Sequence, residues 1–133
     1  MNIRILHCGD NLQNYYLCIE KQVAGFKRLS PSFGDMVYLC VKVNGISFIG
    51  ARFVLDKVTT IKPLPDAKNY KFVFSVKDIQ YCKPFEIKGL AQYGGSSWAA
   101  KYLQSSKQIK DEPAIRFLEE QFMKDLRREL IKF

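Results

Sequence analysis

The sequence predicts a single α+β domain over residues 1–133: a strongly bent mixed sheet, approaching a small barrel, with helices packed against it. Three observations predict it. The dipeptide Asn44-Gly45 separates two β-rich runs, residues 37–43 and 46–54, and Asn-Gly favours the tight turns whose central residues need positive φ. Near the C-terminus, Ile115, Leu118, Phe122, Leu126 and Leu130 recur at three- or four-residue steps, the period of an amphipathic helix. Between the termini, the segments run strand, helix, basic loop, several strands, then helices.

In chain order, residues 2–7 read as a short strand. Residues 10–22 suit a helix capped by Asp10 or Asn11, with Leu12, Tyr15, Tyr16 and Ile19 on one face. Residues 23–33 read as a loop containing Gly25, Lys27, Arg28 and Pro31. The hairpin follows. Both faces of its first strand are largely apolar, which marks a central strand rather than an edge. Residues 57–61 extend the second strand or form a short one, and residues 62–70 form a turn-rich loop with Pro63, Pro65, Asp66 and Asn69. Residues 71–79 form a further strand, Lys83-Pro84 interrupts it, and residues 85–89 form a last short one. Gly94-Gly95-Ser96-Ser97 then punctuates the chain before a helical segment from Trp98 to about residue 105. The final helix is expected from residue 112 to about 132. Asp111 would cap it, Pro113 would sit in its first turn, and acids lead while bases trail.

Charge narrows the class. The chain carries 21 Lys+Arg against 13 Asp+Glu, a net +8, and that excess favours a polyanionic partner, most often nucleic acid. The first 110 residues hold 16 of the 21 bases and seven of the 13 acids, so the basic character lies outside the terminal helix. No apolar run approaches the roughly 20 residues needed to cross a bilayer, and the first ten residues lack the apolar core of a signal peptide. The expectation is a cytoplasmic protein with no membrane partner. Cys8, Cys18, Cys40 and Cys82 form no CxxC pair, and the single His7 completes no common zinc set. They read as mostly buried thiols. No metal or cofactor is expected.

Several blocks, in order, resemble the PUA-like superfamily, and within it the YTH and EVE branches that read modified bases. Residues 19–23 (IEKQV) look like the end of the first YTH helix. Val37-Tyr38-Leu39 and Val43-Asn44-Gly45, with Phe48 and Gly50 beyond, resemble its central hairpin. Residues 72–79, ending Val76-Lys77-Asp78-Ile79, resemble the strand that closes the sheet, and Gly34-Asp35 is similar to the Gly-Asp opening an EVE strand. Together the blocks cover most of residues 3–90. The resemblance implies a nucleotide flipped into an aromatic cage behind a basic rim. This chain departs from the pattern at both cage tryptophans: Ala24 stands at the first, and the second falls near Pro65. Phe26 and Tyr70 are the nearest substitutes. Trp98, the one tryptophan, would swing over the same pocket from its Gly-Ser loop, Tyr93 is comparable to Tyr70, and Asp10 and Asn11 would meet a base edge. Lys27, Arg28, Lys42, Arg52, Lys101 and Lys107 would form the rim that contacts phosphates.

The expected function is therefore a non-catalytic reader of a modified (methylated) flipped base, with DNA favoured and RNA the close alternative. The resemblance extends to targeting modules of McrB-type restriction systems, which implies an AAA+ GTPase and a nuclease as partners. The ending at Phe133 would suit a module excised from a larger protein. A small thiol enzyme is the rival class. His7 and Cys8 are adjacent, but neighbours on a strand point to opposite faces, and no GxSxG, phosphate loop or carboxylate pair is present. A protein-interaction module is the third class; it leaves the charge unexplained.

Overall fold

A computed structural model describes residues 1–27, 30–60 and 70–133. The elements are β1 (Ile3–His7), α1 (Leu12–Glu20), β2 (Val23–Phe26), β3 (Met36–Val43), β4 (Ile46–Thr59), β5 (Phe72–Glu86), α2 (Ala91–Gly94), α3 (Trp98–Leu103), α4 (Glu112–Lys124) and β6 (Leu126–Arg127). The strands form one mixed sheet in the order β1-β3-β4-β5-β2, with β6 also on β5. β1 runs parallel to β3 and every other pair is antiparallel. The sheet curls into a half-barrel flanked by helices.

The curl has identifiable causes. The hairpin turns at Asn44 and Gly45, both with positive φ (52° and 79°), as their small or polar side chains allow. Gly50 then drops out of both of its ladders, where the β3–β4 register jumps from Leu39↔Ala51 to Cys40↔Ile49. A Cβ at Gly50 would lie 2.6 Å from the Tyr15 hydroxyl, so glycine lets α1 pack close to the bend. β4 and β5 shift register at three places. Bulges of this kind raise local twist and bend the strands.

Two cores follow from burial on both faces of β3. Val37, Leu39 and Val41 join Tyr15 and Cys18 of α1, Phe53, Leu55 and Phe74 on one side. Tyr38 and Cys40 join Ile49, Tyr102, Leu118 and Phe122 under α3 and α4 on the other. Each large apolar side chain buried this way contributes about 1.5–3 kcal/mol.

Four elements differ from expectation. Residues 23–26 form strand β2, with Ala24 opposite Phe74, rather than a loop. β5 runs through Pro84 without a break. The β4–β5 ladder skips from Ala51↔Tyr81 to Ile49↔Phe85 there, so no pair needs the missing N–H of proline. Residues 87–90 are a 3-10 turn, not a strand. The terminal helix stops at Lys124, because β2 covers only residues 72–75 of the β5 edge. Leu126 and Arg127 pair with Cys82 and Tyr81, and Lys83 N–H donates to Asp125 O at 2.8 Å. Pairing those edge groups outweighs the helical periodicity of the sequence.

Candidate nucleic-acid interface

β1 and β2 are the two ends of the sheet order, and α1 connects them. In the seam between them lies a cavity of about 500 Å³, lined from β1 by Leu6 and His7 and from β2 by Gly25 and Phe26. Cys8, Gly9, Lys27, Tyr70, Leu103, Ser105 and Ser106 add to the wall, and Asn11, Asn14 and Cys18 line it from α1. Asn11, Lys27 and Ser105 are exposed, so the cavity opens to solvent.

Each wall has a local reason. Asn11 is the N-cap of α1, its Oδ1 accepting from Asn14 N–H at 3.0 Å. Asn14 lies one helical turn on, buried, and its Nδ2 donates to the Tyr70 hydroxyl across 3.4 Å. Tyr70 packs its ring over Gly25: a Cβ there would sit 2.7 Å from Tyr70 Cγ. Phe26 is almost fully buried and meets Phe74 edge to face at 5.9 Å. It supplies the apolar base of the β2 side. On the β1 side, Ser105 and Ser106 both have positive φ (59° and 49°). Arg4 holds that bend from beneath: buried, it donates to Ser106 O at 3.0 Å and pairs with Asp35 at 2.7 Å. Asp35, from the Gly34-Asp35 pair, therefore has a structural task.

His7 and Cys8 line the same cavity, contrary to the opposed faces expected of strand neighbours. The strand ends at His7 and the chain turns through Gly9, whose φ is +61°. His7 Nδ1 accepts from Gly9 N–H at 2.7 Å, and Nε2 lies 3.2 Å from Ser47 Oγ. With Nδ1 accepting, the neutral ring carries its proton on Nε2 and donates it to Ser47. Burial, then the charge of Lys42, pushes the His7 pKa down.

Among the expected site residues, the cavity brings together Asn11, Phe26, Lys27 and Tyr70. Asp10 is exposed beside it, and the helix cap is Asn11 alone. Trp98 is elsewhere. The Gly94–Ser97 stretch is helical rather than a swinging loop, and Trp98 packs against the α4-side core with its Cβ close over Gly94. Tyr93 leans on Phe117 at 6.2 Å. Of the expected rim, Lys42 is exposed, and its N–H donates to Gly9 O at 2.7 Å. Lys107 is exposed directly after Ser106.

One rim assignment is corrected, and a second rim residue has an ion-pair partner. Arg52 is buried, bonded to Gln80 at 2.8 Å and to Glu119, with its guanidinium 4.4 Å from the Phe122 ring centre. It fastens α4 to the sheet. Lys101 is paired with Asp111 at 2.8 Å, beside the Tyr102 hydroxyl that donates to the same carboxylate at 2.6 Å. Arg28 and Pro65 lie outside the described residues.

Of the cavity-lining residues, sequence reasoning did not single out Leu6, Gly9, Asn14, Cys18, Gly25, Leu103, Ser105 and Ser106 for a pocket. One signal was present: Asn11, Asn14 and Cys18 are spaced three and four apart, placing a polar residue on the buried face of α1. The serines carry no such signal, because tertiary contact with Arg4 sets their conformation. Among the described residues no group of three or more His, Cys, Asp or Glu is placed to hold a metal, and no helix is long and apolar enough to cross a membrane. No protein-family model matches the chain, and no curated protein matches it. What the fold and cavity define is an α+β half-barrel with a mixed polar and aromatic pocket at its open seam.

Proposed function

We propose that this half-barrel is a PUA-like domain of the YTH/EVE type and a non-catalytic reader of nucleic acid, taken as DNA. It would receive a flipped, modified base in the seam cavity. The observation that carries the reading is the convergence of Asn11, Phe26, Tyr70 and Lys27 on one open cavity of about 500 Å³, in a chain of net charge +8. Cavities of about 300–1,000 Å³ with a few placed polar groups suit small organic moieties. Stacking on an aromatic face contributes about 1–3 kcal/mol per base, which offsets the few kcal/mol needed to extract it. The carboxamides of Asn11 and Asn14 carry both donors and acceptors for a base edge. Lys27, Lys42 and Lys107 stand near the cavity for phosphates.

The His7 hydrogen bonds favour binding over thiol chemistry. A ring whose Nδ1 accepts from Gly9 and whose Nε2–H faces Ser47 has no lone pair left to take the Cys8 proton. Association with an AAA+ GTPase and a nuclease is part of the same proposal and follows from the YTH/EVE resemblance.

The test is binding of matched modified and unmodified DNA and RNA oligonucleotides across a salt series. The reading expects a modification preference and a log–log salt slope of several units. Absence of binding at low salt, or a flat salt response, removes it. Preference for RNA would replace DNA as the partner.

A further inference from the structure

Resting on the reader proposed above, we infer that the modification read is a bulky, neutral, hydroxyl-rich adduct of about sugar size, rather than a lone methyl group. Size is the first argument. A dry apolar cavity of about 150 Å³ accommodates one six-membered aromatic ring. The seam cavity, at about 500 Å³, is roughly three times larger. A methylated base stacked in it would leave most of the space to water. A methyl group contributes about 0.8 kcal/mol only where a wall closes on it.

The chemistry of the walls is the second argument. The β2 side is lined by the aromatic residues Phe26 and Tyr70, whereas the β1 side is lined by Ser105 and Ser106 beside Leu6, Cys8 and Leu103. A base stacked on the first side would leave the second side for its substituent. Ser105 and Ser106 occupy the left-handed region in succession, a conformation that costs about 1–3 kcal/mol per residue and persists only where the surroundings impose it. Here the buried Arg4–Asp35 pair imposes it through the bond to Ser106 O. The wall is thus held in shape before any ligand arrives. Among the described residues lining the cavity there is no carboxylate, and Lys27 is present, which disfavours a cationic adduct. Hydroxyl groups both donate and accept, matching serine hydroxyls and asparagine amides alike.

The test uses four DNA oligonucleotides, identical except at one cytosine: unmodified, 5-methyl, 5-hydroxymethyl and glucosylated 5-hydroxymethyl. The wild-type chain is measured beside a Ser105→Gly/Ser106→Gly variant, in which glycine tolerates the positive φ while removing both side chains. The expected result is glucosylated DNA bound about tenfold or more tighter than methylated DNA. The variant should lose about fivefold or more on the glucosylated strand alone. Methylated DNA bound as tightly as glucosylated DNA, or tighter, overturns the adduct inference and leaves the reader standing. Equal binding of all four overturns the reader itself. So does free methyl glucoside binding while no oligonucleotide does. The wild-type comparison decides the question even if the variant melts early.

Discussion

Gly25→Ala is the sharpest perturbation of the cavity, because it adds one methyl group where Tyr70 packs. The new Cβ would lie 2.7, 2.8 and 3.0 Å from Tyr70 Cγ, Cδ2 and Cδ1. Carbon atoms in contact sit about 3.5–4.0 Å apart, so the ring must retreat by roughly an ångström. Gly25 is not among the residues with positive φ, so alanine brings no backbone strain there. Tyr70 is only half-buried, and its displacement should cost little stability, below the 1–3 kcal/mol of overpacking in a closed core. Affinity should suffer more. Losing one base stack removes about 1–3 kcal/mol, or roughly five- to 150-fold. Fluorescence anisotropy with a modified oligonucleotide measures this directly, with a thermal melt run in parallel. Tyr70→Ala should produce a similar loss, and the double variant should lose no more than either single one, since both act through the same ring. Additive losses, or unchanged affinity in Gly25→Ala, would refute the role given to Tyr70.

Other expectations concern charge, protonation and packing. Lys27→Ala should weaken modified and unmodified ligands alike and reduce the salt slope by about one, whereas Lys101→Ala, already paired with Asp111, should leave the slope unchanged in the same titrations. His7 holds its pKa below the ordinary 6.5 through burial and then the charge of Lys42. Below 6.5 the unfolded chain therefore takes up a proton that the folded chain resists, and stability should fall as pH drops until the folded pKa is passed. Urea melts of His7→Gln between about pH 7.5 and pH 5, a range that spans the ordinary histidine titration, should show a flatter dependence than wild type. Arg52→Ala should cost about 3 kcal/mol, by loss of a buried cation with several partners. It should lower the melting temperature without altering modification preference in the surviving fold. Glu119→Gln should cost far less, its side chain being half exposed.

Much of the sheet was legible because its signals are local. Asn44-Gly45 specifies its own turn, and the apolar residues on both faces of the 37–43 run specify a central strand. β2 and β6 were not legible, because the residues that make them strands are their partners on β5. Val23–Phe26 reads as loop from its own composition, and Leu126 keeps the helical period of α4 until the open edge at Cys82 claims it. Of the residues expected at a pocket, Asn11 (from the strand–helix junction) and Phe26, Lys27 and Tyr70 (from loop position, charge and aromatic type) do line the cavity. Trp98 was misplaced because a Gly-Ser run resembles a hinge and here forms helical turns. Arg52 was misplaced because one arginine in a strand looks the same whether it faces water or, as here, a helix carrying Glu119 and Phe122. Ser105 and Ser106 depend on Arg4, about a hundred residues away in sequence, and no short-range pattern announces such a contact.

The central claim is that the seam between β1 and β2 holds the base, and an amide chemical-shift titration tests it most directly. With a modified oligonucleotide added to isotope-labelled protein, the largest shifts should fall on Gly9, Asn14, Gly25, Lys27, Ser105 and Ser106, with α4 nearly silent. Shifts concentrated on α4 and β6, with the seam residues unmoved, would contradict the account.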